Sequence, residues 1–520
     1  LYYFRDLLNK DGFGGISMAA TLNQNMLNRL IDIVGAENLS LNEDVLERYS
    51  RDQSLTPPRK PNYVVWPKNV EQIRSITKLA NEFKLPIVPY SSGMNLQGKT
   101  IPHFGGILVD LSKMNRIVKV DSKNWNAVIE PGVTFQQLQH EVVGLNLRVA
   151  VPFTTPSASV LSTYLERVPV LTASDYVYGN ELILDFEVIL PNGEVFTVGN
   201  PALPGSPHAQ PYGPGVNLFR LFTGAQGTFG IVTKMTVKLL PLPKLRKLYI
   251  LSFKNLEELC AFMREIQWKQ IGLECFALNR FNVACILVKE KNEEVKALRE
   301  GRYVGVKGAK KWSEEKIEQL KSLLKELPNW LLFVCLSGFG KRPEEKIAYE
   351  EKALKEIIDK AHTAIISNKD LEEIMLEEIM LPFRWQKKFG LKGSCQFLRF
   401  YAKPTNPPIH ERIIKEASIK HRYPSENIGG YVLAVERGRV IYCEFSFPCD
   451  LEDEKEKVRV KKILKDASET LLNAQAFFDT PYDFQADLVF KKAYVYTKYL
   501  KELKHKLDPN NIMNPGKLCF

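Results

Sequence analysis

The 520-residue sequence predicts an α+β protein with more than one domain. Between residues 61 and 243, short β-branched runs alternate with segments of helical periodicity and with glycine turns. From 244 to 480, long helices rich in Lys and Glu are separated by a few apolar strands. We therefore expect a lead-in at 1–60, a first domain at 61–243, a second domain at 244–480 and a C-terminal segment at 481–520.

Local signals define the elements of the first domain. Strands are predicted at Tyr63–Trp66, Ile87–Tyr90, Ile107–Leu111 and Ala127–Glu130, and a hairpin at Ile183–Leu190 and Val195–Val198. The hairpin turn is Asn192-Gly193, which favours the positive φ angles that such turns need. Asn69 and Thr134 each precede a helical pattern and have a glutamine three residues later, so both are predicted helix N-caps.

The charge pattern and the cysteines exclude several classes of protein. The formal net charge is +11, but Lys and Arg are interleaved with Glu, as in 310–325, so we expect no nucleic-acid partner. The eight cysteines are scattered without a CxxC pair or a metal-ligand spacing. No run approaches the ~18 apolar residues of a transmembrane segment, and residues 1–17 lack a secretory pattern. A cytoplasmic protein is expected.

The most informative turn is Ser91-Ser92-Gly93-Met94-Asn95-Leu96-Gln97-Gly98, which directly follows a predicted strand. A strand end offers backbone N–H groups, and glycine permits close approach, as a pyrophosphate requires. A plain turn without a ligand is the alternative. A second glycine cluster, at 224–233, precedes a strand, whereas a Rossmann loop lies between a strand and a helix. A nicotinamide dinucleotide site is therefore disfavoured.

Six motifs occur in an order that is more specific than any one of them. They are Pro89–Gly98, Val109–Arg116, Ile129–Thr134, Pro191–Glu194, Gly227–Thr233 and Asp508–Lys517. The series resembles the FAD-binding PCMH-type flavoprotein superfamily, which includes vanillyl-alcohol oxidase, p-cresol methylhydroxylase, and glycolate and D-lactate dehydrogenases. The resemblance covers residues 61–243 and the last dozen residues, while 244–480 agrees only in general character. Pro156–Leu161 is similar to the vanillyl-alcohol oxidase branch.

The resemblance implies a two-subdomain PCMH-type FAD-binding domain and an α+β substrate (cap) domain with a large antiparallel sheet flanked by helices. It also implies that the C-terminal segment returns to the FAD domain. The residues that it places against FAD are Pro89, Tyr90, Ser91, Ser92, Gly93, Met94, Asn95, Leu96, Gln97, Pro156, Ser157, Ser159, Val160, Leu161, Gly227, Gly230, Ile231, Val232, Asn514 and Lys517.

Departures from the family pattern limit what the resemblance implies. The loop Ser91–Gly98 has no histidine, so FAD is expected to be non-covalent, with attachment through a cap-domain His or Tyr as the alternative. Val168 stands where the vanillyl-alcohol oxidase branch has a glycine. The Tyr-Arg pair that holds a phenolate is absent from the comparable stretch, Phe477–Tyr482. The His-rich metal motif is missing, the nearest strand being Val440–Phe447, so no catalytic metal is predicted.

Candidate catalytic residues come from the predicted cap strands. On Gln396–Tyr401, Arg399 and Tyr401 share one strand face and could hold a carboxylate, although a solvent-facing arginine is the more common case. Glu444 is a candidate proton acceptor, although an exposed strand carboxylate is more common. Tyr482 and His421 are further candidates.

These observations lead to three functional hypotheses. The first is a dehydrogenase that oxidises a 2-hydroxy acid, an aromatic alcohol or a 4-substituted phenol by hydride transfer to FAD. It would pass electrons to an iron–sulfur, cytochrome or electron-transferring flavoprotein partner. The alternatives are an oxidase that uses dioxygen and an FAD-carrying electron-transfer subunit of a larger complex. Any iron–sulfur centre must belong to a partner, because this chain has no cysteine cluster. A homo-oligomer is expected.

Overall fold

The computed structural model describes residues 14–94, 96–172, 174, 179–305 and 308–520.

The first sheet belongs to the N-terminal part of the chain. The first four strands are β1 (Leu39–Ser40), β2 (Tyr63–Val65), β3 (Ile87–Tyr90) and β4 (Ile107–Asp110). Their order is β1-β2-β4-β3, with β2, β4 and β3 parallel and β1 antiparallel to β2. The three strands predicted here are confirmed, two of them one residue shorter than expected.

Helices pack against these sheets and against one face of the cap sheet. They are α1 (Gly14–Val34), α2 (Glu43–Tyr49), α3 (Val70–Phe83), α4 (Phe135–Val143), α5 (Val160–Leu165), α6 (Phe219–Phe222), α7 (Leu256–Trp268), α8 (Arg280–Leu287), α9 (Asn292–Arg299), α10 (Glu314–Glu326), α11 (Pro343–Ala361), α12 (Lys369–Met380), α13 (Pro407–Lys420), α14 (Glu454–Asn473), α15 (Phe484–Lys492) and α16 (Tyr494–Leu507). Both predicted N-caps are confirmed, because the Asn69 and Thr134 side chains accept from the backbone N–H three residues on. Among the described residues, no helix is long and apolar enough to cross a bilayer.

The second sheet completes the first domain. Its strands, with two short ones beside it, are β5 (Ile117–Asp121), β6 (Asn126–Ile129), β7 (Leu147–Arg148), β8 (Ile183–Ile189), β9 (Val195–Val198), β10 (Ile231–Lys238) and β11 (Leu240–Pro241). The order β5-β6-β10-β8-β9 is antiparallel throughout, and β7 pairs with β11. The predicted hairpin is confirmed as β8–β9. The glycine cluster at 224–233 leads into β10, as expected.

The cap is built on a six-stranded antiparallel sheet. The remaining strands are β12 (Leu245–Phe253), β13 (Glu274–Asn279), β14 (Val304–Gly305), β15 (Gly308–Ala309), β16 (Trp330–Gly338), β17 (Ser394–Ala402), β18 (Gly429–Val435) and β19 (Val440–Cys449). The cap order is β12-β16-β13-β18-β19-β17. One face packs under α7, α11, α13 and α14, and the other packs against the first domain in one continuous apolar core. The interior face of the cap sheet therefore looks onto the first domain.

Two contacts tie the parts of the chain together. The C-terminal tail runs beside β3, where Ile87 N–H donates to the Ile512 carbonyl at 2.7 Å and Asn514 N–H donates to the Ile87 carbonyl at 2.8 Å. Between the first domain and the cap, Arg148 Nη2 lies 2.6 Å from Glu274 Oε1, and the two side chains are 3% and 0% exposed. The C-terminal tail is thereby held beside the first residue of β3, and the Arg148–Glu274 pair joins the first domain to the cap.

Candidate functional site

A cavity of about 240 Å³ lies between the first domain and the inner face of the cap sheet. Its first-domain wall consists of the loop after β3, the start of α5 and the turn before β10. Its cap wall consists of side chains from the segment before β17 and from β17, β18 and β19. The cavity therefore joins the turn predicted to bind a pyrophosphate to the strands predicted to carry catalytic residues.

The loop after β3 has the geometry of an anion site. Gly93 and Gly98 have φ angles of 71° and 69°, which L-residues with a side chain rarely adopt. The backbone N–H groups of Ser92, Gly93 and Met94 donate to no acceptor among the described residues, so they are available to a ligand. Gly98 N–H donates instead to Asp52 Oδ2 at 2.7 Å, which fixes the end of the loop. Such successive N–H donors fit a pyrophosphate.

The turn before β10 forms the opposite side of the cradle. Gly227 has a φ of 73°, and a Cβ placed on it would lie 2.5 Å from Pro89 Cγ. The Asn514 side chain donates to the carbonyls of Gln226, at 2.7 Å, and Lys99, at 3.2 Å. Its Oδ1 atom is buried and accepts no hydrogen bond from the described residues, so a donor on a bound ring could reach it. The residues present thus fit FAD.

Replacing Gly227 with alanine is expected to weaken FAD binding about tenfold or more. The methyl group meets Pro89, and the left-handed backbone costs about 1–3 kcal/mol for a residue with a side chain. Titration of FAD into the apoprotein, monitored by quenching of flavin fluorescence, measures the dissociation constant. Gly205→Ala is the matched control, because Gly205 also has a positive φ, 84°, but has no atom within 4 Å of an added Cβ. Equal affinities for the two variants would contradict the expectation.

The structure places most of the predicted FAD residues on the cavity wall. Those that line it are Pro89, Tyr90, Ser91, Ser92, Gly93, Met94, Leu96, Gln97, Leu161, Gly227, Gly230, Ile231, Val232 and Asn514. Five others lie outside the lining, and one of these, Lys517, lines a second cavity. Ser157 Oγ donates to the Gly301 carbonyl, Ser159 caps α5 and donates to the Pro131 carbonyl, and Pro156 and Val160 flank them. Asn95 lies outside the described residues.

On the cap wall, two predicted catalytic residues, Arg399 and Glu444, form a row with Tyr431 across three neighbouring strands. Arg399 on β17 pairs in register with Glu444 on β19, which pairs in register with Tyr431 on β18. Side chains that are directly opposite in a sheet share a face. Arg399 Nε donates to Glu444 Oε2 at 2.9 Å, and Tyr442 Oη donates to the same oxygen at 3.3 Å. The row faces the cavity.

Two polar atoms of this row are buried without a hydrogen-bond partner among the described residues. They are Glu444 Oε1 and the Tyr431 hydroxyl. The nearest cation to Glu444 Oε1 is Lys388 Nζ at 3.7 Å. Burial, followed by the charge of Glu444, raises the pKa of Tyr431 well above its usual range, so the phenol remains a donor. An unmet acceptor and an unmet donor side by side can receive a polar group of a ligand.

Arg399 and Glu444 do not face solvent, which was the more common alternative for residues of these types on a strand. The Arg399 side chain is only 22% exposed and the Glu444 side chain 5%, because β17 and β19 lie inside the sheet-to-domain interface. The other candidates lie elsewhere. Tyr401 packs on Tyr442, with ring centres 5.4 Å apart, and does not line the cavity. Tyr482 donates to the Phe397 carbonyl, and His421 pairs with Asp466 on the outer helices.

Sequence reasoning missed the aromatic part of the cap wall. Trp385, Tyr431 and Tyr442 line the cavity together with Phe153 from the first domain. Tyr431 lies 5.1 Å from Phe153 and 5.8 Å from Tyr442, measured between ring centres. In the sequence these residues are ordinary apolar strand or loop positions. Only the pairing of β18 with β19 and the docking of the two domains distinguish them.

A second, polar cavity lies behind the Ser91–Gly98 loop and contains the predicted FAD residue Lys517. Lys517 Nζ donates to the carbonyls of Gly98 and Ile101, at 2.6 and 2.9 Å, so it fastens the tail to the loop. Burial lowers the pKa of Lys517 to about 8. Burial, followed by the charges of Lys517 and Arg59, lowers the pKa of the adjacent His103 to about 4.

The protein is expected to lose stability through His103 as the pH falls from 6.5 toward 4. In that window the unfolded chain binds a proton that the folded imidazole does not, so acid favours unfolding. Thermal unfolding of the wild type and of His103→Gln, at about pH 7.5 and about pH 4.5, tests this. The wild type should lose more stability than the variant between the two pH values. Equal losses of thermal stability in the wild type and in the variant would contradict the lowered pKa of His103.

Comparison with known proteins agrees with this geometry. Residues 61–199 match the family model described as an FAD binding domain. The sequence is 30% identical over 228 residues to a probable mitochondrial D-lactate dehydrogenase of Danio rerio, covering 43% of this chain and 44% of the relative. It is 33% identical over 233 residues to the flavoprotein subunit of 4-cresol dehydrogenase (hydroxylating) of Pseudomonas putida, covering 43% and 44%. The chain thus spans less than half the length of either relative.

The similarity of fold extends over nearly the whole chain. The crystal structure of p-cresol methylhydroxylase with substrate bound matches with a TM-score of 0.80 and 20% sequence identity, over 96% of each chain. The family match and the cradle around the Ser91–Gly98 loop concern the same part of the molecule. Residues 61–199 therefore form an FAD binding domain, and the chain as a whole has the fold of p-cresol methylhydroxylase.

Proposed function

We propose that the protein is an FAD-linked dehydrogenase that oxidises an aromatic alcohol or a 4-substituted phenol. The observation that carries this proposal is the pair of unmet polar atoms, Glu444 Oε1 and the Tyr431 hydroxyl, on an aromatic wall of the FAD cavity. Trp385, Tyr442 and Phe153 supply that wall, and flat rings pack well against one another. The proposal also agrees with the activity for which the 4-cresol dehydrogenase relative is named.

Each residue of the row has a distinct role. The loop after β3 and the turn before β10 would hold FAD, which would supply the acceptor for the hydride of the substrate carbon. Glu444 Oε1 accepts the hydroxyl proton of the substrate, which leaves a carbonyl or quinone-type product. Arg399 holds the other carboxylate oxygen at 2.9 Å and so fixes the direction of the free one. The Tyr431 hydroxyl donates to the substrate oxygen, and the surrounding aromatic rings exclude water.

A 2-hydroxy acid is the second candidate substrate, and one observation favours it. Two cations, Arg399 and Lys388, face the single carboxylate of Glu444, so the row carries one uncompensated positive charge. A substrate carboxylate would balance that charge. The D-lactate dehydrogenase relative carries the name of such an activity.

Anaerobic spectra of the FAD-loaded protein test the proposal. We expect 4-hydroxybenzyl alcohol to bleach the visible flavin band, whereas bleaching by D-lactate or glycolate alone would select the second candidate. A band that no alcohol, phenol or hydroxy acid bleaches would contradict both and favour an electron-transfer subunit. After bleaching, admission of air separates the two fates of the electrons. Slow reoxidation is expected for a dehydrogenase with a protein acceptor, and rapid reoxidation would indicate an oxidase.

A further inference from the structure

A buried lysine lies beside the row of Arg399, Glu444 and Tyr431. The Lys388 side chain is only 2% exposed and does not line the FAD cavity. An ammonium group has three N–H donors, yet among the described residues Lys388 Nζ donates to one acceptor, Ser446 Oγ, at 3.3 Å. A buried charge is costly unless its surroundings compensate it. Groups other than Ser446 must therefore stabilise the charge of Lys388.

Two aromatic rings seat the ammonium of Lys388. In the 3₁₀ segment Arg384–Leu391, side chains three residues apart lie over each other, so Lys388 follows Trp385 on one side of the segment. Lys388 Nζ is 4.5 Å from the centre of the Trp385 ring and 5.1 Å from that of the Phe397 ring. The two rings are stacked, with centres 5.7 Å apart. Ring faces attract a cation at such distances, so the rings fix the position of the ammonium.

The register of β17 with β19 brings Glu444 to this ammonium. Phe397 pairs with Ser446, and Arg399 pairs with Glu444. Residues two apart in a strand share a face, so the four side chains lie together. Lys388 Nζ is 3.7 Å from Glu444 Oε1, whereas Arg399 Nε donates to Glu444 Oε2 at 2.9 Å. A separate cation thus faces each oxygen of the carboxylate.

The other titratable groups around Glu444 carry no charge near neutral pH. They come from every strand and segment beside it, and are Cys395 on β17, Tyr431 on β18, Tyr442 on β19 and Tyr482 before α15. Burial is the largest cause that raises the pKa of each of these four groups. Among the described residues, Arg399 and Lys388 are therefore the cations that face Glu444. A cation beside a carboxylate favours its ionised form.

The neighbouring lysine has different surroundings. Lys387 is also buried, but its Nζ donates to the main-chain carbonyls of Ile286, at 2.8 Å, and Val288. Burial lowers the pKa of Lys387 to about 8. These hydrogen bonds fasten the 3₁₀ segment to the end of α8, which accounts for Lys387 without reference to the cavity. The two adjacent buried lysines thus differ in that only Lys388 forms an ion pair with Glu444.

We propose that Lys388 is a positioning residue, whose ammonium holds Glu444 in the ionised form that accepts the substrate proton. This inference rests on the proposed function, in which Glu444 Oε1 is that acceptor. At 3.7 Å the ammonium lies beyond hydrogen-bond distance, so it attracts the negative charge without occupying the lone pairs of Oε1. Lys388 itself forms and breaks no covalent bond.

Infrared spectra of the FAD-loaded protein, recorded without substrate as the pH is lowered, test this proposal. A protonated carboxyl group has a carbonyl stretch that a carboxylate lacks, and the band that is missing from Glu444→Gln belongs to Glu444. Lys388→Met removes the charge, and Lys388→Gln removes it while keeping a group that can bond to Ser446, in case the first variant does not fold. Lys388→Arg keeps the charge. Lys387→Met is the matched control, because it removes the adjacent buried ammonium.

We expect the Glu444 band to appear at a pH about one unit or more higher in Lys388→Met and Lys388→Gln than in the wild type. Lys388→Arg and Lys387→Met should show it near the wild-type pH. In stopped-flow experiments, the fall of flavin reduction toward acid should move up in pH by the same amount in the two neutral variants of Lys388.

A Glu444 band at the same pH in the wild type and in the neutral variants of Lys388 would overturn the proposal. An equal shift in Lys387→Met would also overturn it, because any buried charge would then have the same effect. The infrared result does not depend on the substrate. If no substrate bleaches the wild-type flavin but the band is shifted as expected, the proposed function fails and the effect of Lys388 on Glu444 stands.

Discussion

Replacing Glu444 with glutamine is expected to slow reduction of the bound flavin by substrate about 10²- to 10⁴-fold. Glutamine has the shape of glutamate and can still bond to Arg399, but it cannot accept the hydroxyl proton. In the wild type, Arg399 and Tyr442 hold one carboxylate oxygen, at 2.9 and 3.3 Å, and leave the other free toward the cavity. The rate is measured by anaerobic stopped-flow spectroscopy of the visible flavin band.

Controls separate a chemical role of Glu444 from a structural one. Tyr442→Phe removes one hydrogen bond to the carboxylate but keeps the base, so it should slow reduction far less than Glu444→Gln. FAD content and photoreduction of Glu444→Gln should equal those of the wild type, because the FAD cradle lies on the first domain. Substrate reduction of Glu444→Gln at the wild-type rate would refute the assignment of Glu444 as the proton acceptor.

Replacing Arg148 with alanine is expected to lower the free energy of unfolding by about 3–5 kcal/mol. Arg148 lies on β7 of the first domain and Glu274 on β13 of the cap, so the pair bridges the two. Glu274 is fully buried, and the substitution leaves its carboxylate without the cation 2.6 Å away. A buried charge without a partner is far more costly than a lost surface pair. Urea unfolding, followed by release of flavin fluorescence, measures the loss.

The double variant Arg148→Met/Glu274→Leu tests whether the loss of stability in Arg148→Ala arises from the unpaired charge of Glu274. Removing both charges and keeping similar volume should restore most of the stability, because the cost arises from the orphaned carboxylate. Arg29 pairs with Glu82 on the surface, where the two side chains are 41% and 55% exposed, so it is the control site, and Arg29→Ala should leave the free energy of unfolding nearly unchanged. A double variant as unstable as Arg148→Ala would show that lost packing, rather than charge, is responsible.

Local chemistry made several elements predictable from the sequence. The N-caps at Asn69 and Thr134, the Asn192-Gly193 hairpin and the strand Ile87–Tyr90 each depend on residues close together in the chain. For the same reason the FAD cradle was largely predictable, since a contiguous loop with glycines at required positive φ angles supplies most of its contacts. The ordered series of six motifs also indicates the superfamily that the sequence resembles.

The catalytic side of the cavity depended on tertiary structure. The sequence by itself determined the class of fold, the FAD loop and the identity of Arg399 and Glu444 as candidates. Their pairing with each other, their burial and the addition of Tyr431 follow from the register of β17, β19 and β18, which joins residues far apart in the chain. Docking of that sheet on the first domain then removes the row from water. Neither event leaves a local signal, because a strand position has the same sequence pattern whether its face meets solvent or another domain.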